Sequence, residues 1–562
     1  MSDFILVVVD TAKIQPYIFG SNRLRENVGA SHLVHLATGG WLKSEPETLL
    51  PSNHNIVEGT LHNNNGAGIE AGAFDAEVLY AGGGNTAILF RDESQATAFA
   101  RKLSERVLCE APGLDVVIWQ QAFAWQDSLA VALDAAFKQL GKKKREREFS
   151  HPLLGLGVTA ACRSTGLPAN TERRPPGEAD FIPLSYTALA KWEQNEPAKQ
   201  RLRRELLHLS DDRSAFAADF DFPNDFDYLG RALGEQSYIA VVHADGNGMG
   251  KLFDRLNEAY RTWSGDGNRA YITKLRDLSE QVNSLGLNAL REVVRKVWEW
   301  NTTLKDGGPL LAPFEDDKGQ KYLSIRPIVF GGDDVTFVCD GRIGLWAAQT
   351  FLEQFYQTPI QLDDGPQTLH AAVGVAIVKV HYPFARAYEL SEQLCKDAKS
   401  EMGRDRSTLD WHIAQSGLFG ALKEIRAEEY QQLDAPGDDK TKHSLLMRPL
   451  LLDDATDHWR TWDNFVQIAQ ELRNRERWPR NKVLDLRSAL IDGAAAVRRF
   501  VANYRSRLPL LAYPQLGNTE YRETGWHQTD EEYRAVYFDA IEMIDQLLPQ
   551  ATTAQSAKEA QQ

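Results

Sequence analysis

Three aspartates stand where carboxylates can converge. Asp245 closes an apolar run, Tyr238–His243, followed by Ala244. Asp333 and Asp334 lie in the turn Gly331-Gly332-Asp333-Asp334, between the β-rich runs Leu323–Phe330 and Val335–Cys339. With the first strand beside this hairpin in one sheet, the three carboxylates meet at one edge. Such hard oxygen donors suit Mg2+ or Mn2+, and two such ions can activate an attacking hydroxyl and stabilise a leaving pyrophosphate. Neighbouring strand residues face opposite ways, so Asp333 and Asp334 need not share one job: one can ligate metal while the other orients a hydroxyl or a water.

The segment after Asp245 reads Gly246-Asn247-Gly248-Met249-Gly250-Lys251. Its glycines admit a ligand close to the backbone, and successive N–H groups opening a helix form an anion nest suited to a triphosphate. Gly331 and Gly332 keep the aspartate turn free of side chains, leaving room for a nucleotide. Lys399, ending a helix in Asp397-Ala398-Lys399, can reach the phosphates as a point charge. Each feature alone has an ordinary reading: aspartates populate glycine turns, and a lysine at a helix C-terminus serves the dipole. Their joint pattern points to a site.

The elements that must position these residues form a coarse internal repeat. The first copy runs strand Phe4–Val9, helix about Ser21–Leu42, strand Ala76–Tyr80, turn Gly82-Gly83-Gly84-Asn85, strand Thr86–Phe90, helix about Glu93–Cys109 and strand Val116–Phe123. The second runs strand Tyr238–His243, helix about Ala270–Trp300, the Asp333-Asp334 hairpin, helix about Gly344–Tyr356, strand His370–Val380 and helix Pro383–Lys399. Both follow the split βαβ, ferredoxin-like order, so the expected class is α+β. Pro168–Asp180 reads as a linker. Trp462–Leu472, Leu484–Tyr504 and a helix opening at Thr529-Asp530-Glu531-Glu532 give a helical C-terminal part.

Composition narrows the function classes. The chain has 562 residues, a net charge of −15 and 43% hydrophobic residues, which excludes a disordered or collagen-like polymer. So acidic a chain is not expected to present a broad duplex-DNA-binding face. The basic run Gly141–Glu148 (GKKKRERE) reads as a solvated helix end ahead of an RNA contact. Four cysteines without a CxxC pair argue against a disulfide framework and a zinc site. No apolar stretch reaches membrane-spanning length, and the Phe4–Val9 run has no signal-peptide flanks, so a cytoplasmic protein is expected.

The segments IQPYIFGSNRLRENVGAS (Ile14–Ser31), CRSTGLPA (Cys162–Ala169), ADGNGMGK (Ala244–Lys251), FGGDD (Phe330–Asp334) and the strand–helix ending at Lys399 resemble the large, polymerase/cyclase subunit of type III CRISPR effector complexes, closest in flavour to type III-B. The resemblance spans about residues 1–415. It implies two palm domains that together hold two ATP molecules, the second binding the metals. It implies target-RNA-activated synthesis of cyclic oligoadenylates inside a guide-RNA complex with sister subunits. The expected metal ligands are Asp245, the Gly246 carbonyl, Asp333 and Asp334. The alternatives are a synthase joining ATP to S-adenosylmethionine, or a catalytically silent scaffold.

The chain departs from that family in three places. No His-Asp dipeptide occurs among its 13 histidines, so no HD nuclease activity is expected. Of the cysteine cluster between the palms only Cys162 remains, so no zinc is expected. Asn247 stands where an acid is frequent. The first palm, with Gly82–Asn85 in place of the aspartate turn, reads as a degenerate partner. Its Gly29-Ala30-Ser31 either touches nucleotide, through Ser31, or serves helix packing. The expected division is a first palm 1–165, a linker and helical insertion 166–235, a catalytic palm 236–415, a helical domain 416–550 and a frayed tail 551–562.

Overall fold

The computed structural model describes residues 4–43, 49–62, 68–146, 155–175, 180–207, 219–229, 237–302, 304–305, 308–414, 420–430, 442–452, 458–511, 519–528 and 532–547. The architecture is α+β, built on two sheets, each with four antiparallel palm strands.

The first unit contains β1 (Phe4–Ala12), α1 (Ile14–Phe19), α2 (Leu24–Thr38), β2 (Ala76–Gly82), β3 (Asn85–Phe90), α3 (Glu93–Glu110), β4 (Asp115–Phe123) and α4 (Leu129–Glu146). Its strand order is β2-β3-β1-β4. Helices α5 (Tyr186–Glu193) and α6 (Asn195–Leu206) follow. The second unit contains β5 (Tyr238–Gly246), α7 (Met249–Ala259), α8 (Asp266–Thr302), β6 (Ile325–Val329), β7 (Asp334–Asp340), α9 (Gly344–Gln357), β8 (Ala371–Lys379) and α10 (Phe384–Met402). Here β6-β7-β5-β8 repeats the order of the first sheet, and β9 (Thr408–Ile413) and β10 (Leu450–Leu451) extend it to six strands.

The unbroken apolar runs of β1 and β5 follow from burial on both faces. Leu6 and Val8 pack with Leu133 of α4 and Tyr271 of α8. Val7 and Val9 share a core with Ile239 and Val241 of β5, so the two units are joined by one hydrophobic layer. Ala240 and Val242 face the opposite way, onto α8 and α9. The 37-residue α8 therefore serves both units. Its first turns also supply Arg269 and Arg276 to the buried Glu77 of β2, at 2.6 and 2.9 Å.

Several local expectations change. The helix expected over Leu484–Tyr504 is two helices, α12 (Arg480–Ile491) and α13 (Ala494–Tyr504), behind α11 (Trp462–Arg473); Gly493 at φ 92° breaks the run. Thr529–Glu531 lie outside the described residues, but Glu532 and Tyr533, expected to be helical, belong to strand β12 (Glu532–Ala535). It pairs with β11 (Trp526–Gln528) and with Lys442–Ser444, and Trp526 stacks on Tyr533 at 5.2 Å. Sheet pairing overrides the helical spacing there. The α14 helix is confined to Phe538–Met543. The Pro168–Asp180 segment includes a strand, Thr171–Arg173, paired with Ile182–Leu184, while residues 176–179 and the 551–562 tail lie outside the description.

Candidate functional site

The sheet register places Asp245, at the end of β5, directly opposite Asp334, the first residue of β7. Alternation along both strands puts His243 and Thr336 on the same face as this pair, with His243 Nδ1 3.1 Å from Thr336 Oγ1. Asp333 belongs to the turn. Its carbonyl accepts from the Gly246 N–H at 3.2 Å, and a Cβ at position 246 would sit 2.7 Å from the Asp333 Cβ. Only glycine fits so close to the turn. Gly331 and Gly332 have φ of 140° and 76°, values that favour glycine.

Helix α8 holds the turn from behind. Asn283 Oδ1 accepts from the Gly332 N–H at 3.1 Å. Gly286 lies against the Gly332 carbonyl so closely that a Cβ would come within 1.9 Å of its oxygen. Neither Asn283 nor Gly286 stood out in the sequence.

Lys399, in the last turns of α10, is buried, and its Nζ lies 2.5 Å from Asp245 Oδ2 and 3.2 Å from the Gly246 carbonyl. Sequence reasoning placed this lysine on a ligand's phosphates; here it neutralises two of the oxygens expected to bind metal. The same helix carries Tyr388, Glu392 and Cys395 at helical spacing before Lys399. Tyr388 meets the His243 ring edge-on at 5.5 Å. That 388/392/395/399 stripe was the signal that would have found Tyr388 and Glu392.

The electrostatics are those of carboxylates short of cations. Burial and the charge of Asp245 push Asp333 and Asp334 up to about 7. Asp334 keeps half its side chain open, yet its Oδ1 is buried without a hydrogen-bond partner. His243 stands 3.6 Å away, but burial lowers it to about 4, so at neutral pH it brings no charge. Among the described residues no three acidic, histidine or cysteine side chains group tightly enough to enclose a metal by themselves. The donor chemistry nevertheless fits a hard divalent cation. Two paired carboxylates, a backbone carbonyl and an orphaned oxygen are present, and Mg2+ commonly takes one or two carboxylates and completes its shell with water and phosphate.

The glycine loop enters α7 through Gly248 at φ 73°. Asn247 is buried and ties the loop down: its N–H donates to the His370 carbonyl at 2.8 Å and its Nδ2 to the Arg406 carbonyl at 3.0 Å. Met249 is buried, while Gly250 and Lys251 are exposed in the first turn of α7.

The first unit repeats this geometry without the acidic turn. Asp10, near the end of β1, lies opposite Asn85 rather than a second aspartate. Lys144 Nζ donates to Asp10 Oδ2 at 2.7 Å and to the Thr11 carbonyl at 2.8 Å. Lys143 donates to the Ile118 carbonyl while staying exposed, so within the GKKKRERE run it is Lys144 that turns inward; Arg147 and Glu148 lie outside the described residues. Ser31 is half-buried on α2. Its neighbour Gly29 would bring a Cβ within 1.7 Å of the Lys191 carbonyl, which gives that glycine the packing role. The Ile14–Ser31 segment docks on α10: Phe19 stacks on Tyr388 at 3.7 Å and Gln15 Nε2 donates to Glu392 at 2.6 Å. Ser164 of the Cys162–Ala169 segment donates to Glu26 of α2 at 2.8 Å.

Among the described residues no helix is long and apolar enough to cross a membrane. No curated protein matches the chain. Among solved structures it is similar to a Csm1-Csm4 cassette in complex with AMPPNP, at 14% identity, over 97% of this chain and 69% of that one, with a TM-score of 0.47. A Csm1-Csm4 cassette in complex with cA4 matches at 14% identity, 97% and 70% coverage and 0.45. Csm1 in T. onnurineus matches at 13%, 97% and 69%, and 0.48. Residues 238–408 match the family model for the second palm domain of Cas10/Cmr2. That span holds Asp245, the Asp333-Asp334 turn and Lys399, so this part of the chain is similar to the second palm domain of Cas10/Cmr2.

Proposed function

We propose that the chain is a nucleotidyltransferase that makes cyclic oligoadenylates from ATP, activated by target RNA within a guide-RNA complex. The observation that carries this reading is the cross-strand pair Asp245/Asp334, with Asp333 folded against Gly246, at the end of a Cas10/Cmr2 palm sheet. The choice of ATP, a cyclic product and RNA activation follows the family resemblance.

Asp245, Asp334 and the Gly246 carbonyl, with Asp333 beside them, would hold Mg2+ or Mn2+, which when bound supplies Lewis-acid neutralisation of phosphate charge. The N–H groups of Gly248–Lys251, opening α7, face the triphosphate as donors. Lys399, released from Asp245, follows the negative charge onto the phosphates. The reacting hydroxyl oxygen of one nucleotide bonds to the α-phosphorus of the next, and the bond to pyrophosphate breaks. The hydroxyl proton passes to an Asp333 carboxylate oxygen acting as general base.

Each bond made releases one pyrophosphate. In the guide-RNA complex with target RNA, wild type given ATP and Mn2+ should release pyrophosphate, and Asp245→Asn should not. Release of ADP and phosphate instead would mark an ATPase and overturn the reading.

A further inference from the structure

The stretch Arg473–Arg507 carries nine arginines and one lysine against three acidic residues, in a chain of net charge −15. Its folding concentrates part of that charge. Lys482 of α12 reaches back across the α11–α12 loop, donating to the Arg477 carbonyl at 3.1 Å and to Ser506 Oγ at 2.7 Å. This clip sets Arg477 beside the end of α13, where Arg505 and Arg507 flank Ser506. Arg475, Arg477, Arg505 and Arg507 are all exposed. No ion pair or side-chain hydrogen bond joins Arg475, Arg505 or Arg507 to the described residues, and Arg477 has only a 3.8 Å contact with Glu471. The local field is positive enough that the Arg477 charge, after burial, helps lower Lys482.

An aromatic ring stands among these cations. Tyr504 is 39% exposed; its ring packs 4.7 Å from Phe500, Lys482 Nζ lies 5.5 Å from its centroid, and Asp485 accepts from its hydroxyl at 2.5 Å. Guanidinium groups match phosphate geometry and stack on bases, and an exposed ring offers a face to any base. An acidic protein surface would use the charges but not the ring. We propose that the α11–α12 loop and the end of α13 bind the phosphate backbone of single-stranded RNA, with Tyr504 as a stacking platform. This surface is separate from the aspartate cluster, and the proposal stands whether or not that cluster is catalytic.

The test is fluorescence anisotropy of the full chain with fluorescein-labelled U20 RNA from 50 to 300 mM KCl. Arg475→Gln/Arg477→Gln/Arg507→Gln should bind at least tenfold more weakly at low salt. Its plot of log affinity against log salt should be shallower by about 2, since each single-strand phosphate contact contributes about 0.7. Tyr504→Leu should weaken binding without changing that slope, and Lys102→Gln on α3 should change neither. If the triple variant melts early, Arg507→Gln alone must still lower the slope by about 0.7. Wild-type affinity and slope in a folded triple variant would overturn the proposal. So would an oligoglutamate peptide that displaces the probe as well as unlabelled U20 does, which would assign the surface to an acidic protein.

Discussion

Lys144 stands to Asp10 as Lys399 stands to Asp245. Each lysine is the sixteenth residue of the helix that follows the last palm strand. Each binds the aspartate near the end of the first strand, at 2.7 and 2.5 Å, and the carbonyl of the next residue. The two units differ in the partner strand, where Asn85 replaces Asp334. The first unit has kept the lysine clasp and lost the second carboxylate.

The two lysines should therefore separate in assay. Lys399→Met should cut pyrophosphate release by at least a hundredfold. Lys144→Met, which loses a pair about a quarter exposed, should lower stability by only about 1 kcal/mol and change the rate less than tenfold. Equal rate losses in the two variants would contradict the assignment.

Proton uptake by Asp333 and Asp334 gives a second prediction. Both are raised to about 7, so without metal the folded state holds protons that the unfolded chain has released. Stability should then fall as pH rises from about 4 to 7, and Asp333→Asn/Asp334→Asn should remove that fall. Metal binds the ionised form, so Mn2+ affinity should climb between pH 6 and 8, read by electron paramagnetic resonance. A flat profile would count against both.

Glu77 joins the first sheet to α8. Burial pushes its carboxyl up, but the hydrogen bonds and charge of Arg269, with the charge of Arg276, outweigh burial and hold it below its usual value. Its stabilisation is complete above the unfolded value and is lost as pH falls through the folded one. Glu77→Gln leaves Arg276 without its carboxylate while Arg269 keeps Glu70, and should cost about 3 kcal/mol near neutral pH. Thermal melts from pH 7 to 3 should show the gap to wild type closing at the acid end.

Gly286 tests the turn from behind. An alanine Cβ would press on the Gly332 carbonyl, so the helix or the turn must shift. Gly286→Ala should cost about 1–3 kcal/mol and lower pyrophosphate release at least tenfold. A variant as active as wild type would show that the turn tolerates displacement.

The palm order and the Asp245–Asp334 meeting were legible because strand periodicity and the hairpin leave few arrangements. Lys399 was found from its helix, but not its partner: which of two nearby anions a lysine chooses depends on burial and geometry that sequence does not encode. His243 and Tyr388 hid among apolar residues of β5 and α10, and Gly286 had no signal inside a long helix. The C-terminal strand at Glu532–Ala535 was missed because its partners, Trp526–Gln528 and Lys442–Ser444, include one about ninety residues away.

The central claim is tested most directly by mass spectrometry of products from ATP and Mn2+. Wild type and Asp333→Asn/Asp334→Asn should be compared alone and with native partner subunits, guide RNA and target RNA. The account predicts a cyclic oligoadenylate that needs target RNA and disappears in the double variant while its melting profile stays cooperative. Product that persists in the double variant, or none from the wild-type complex, would contradict it.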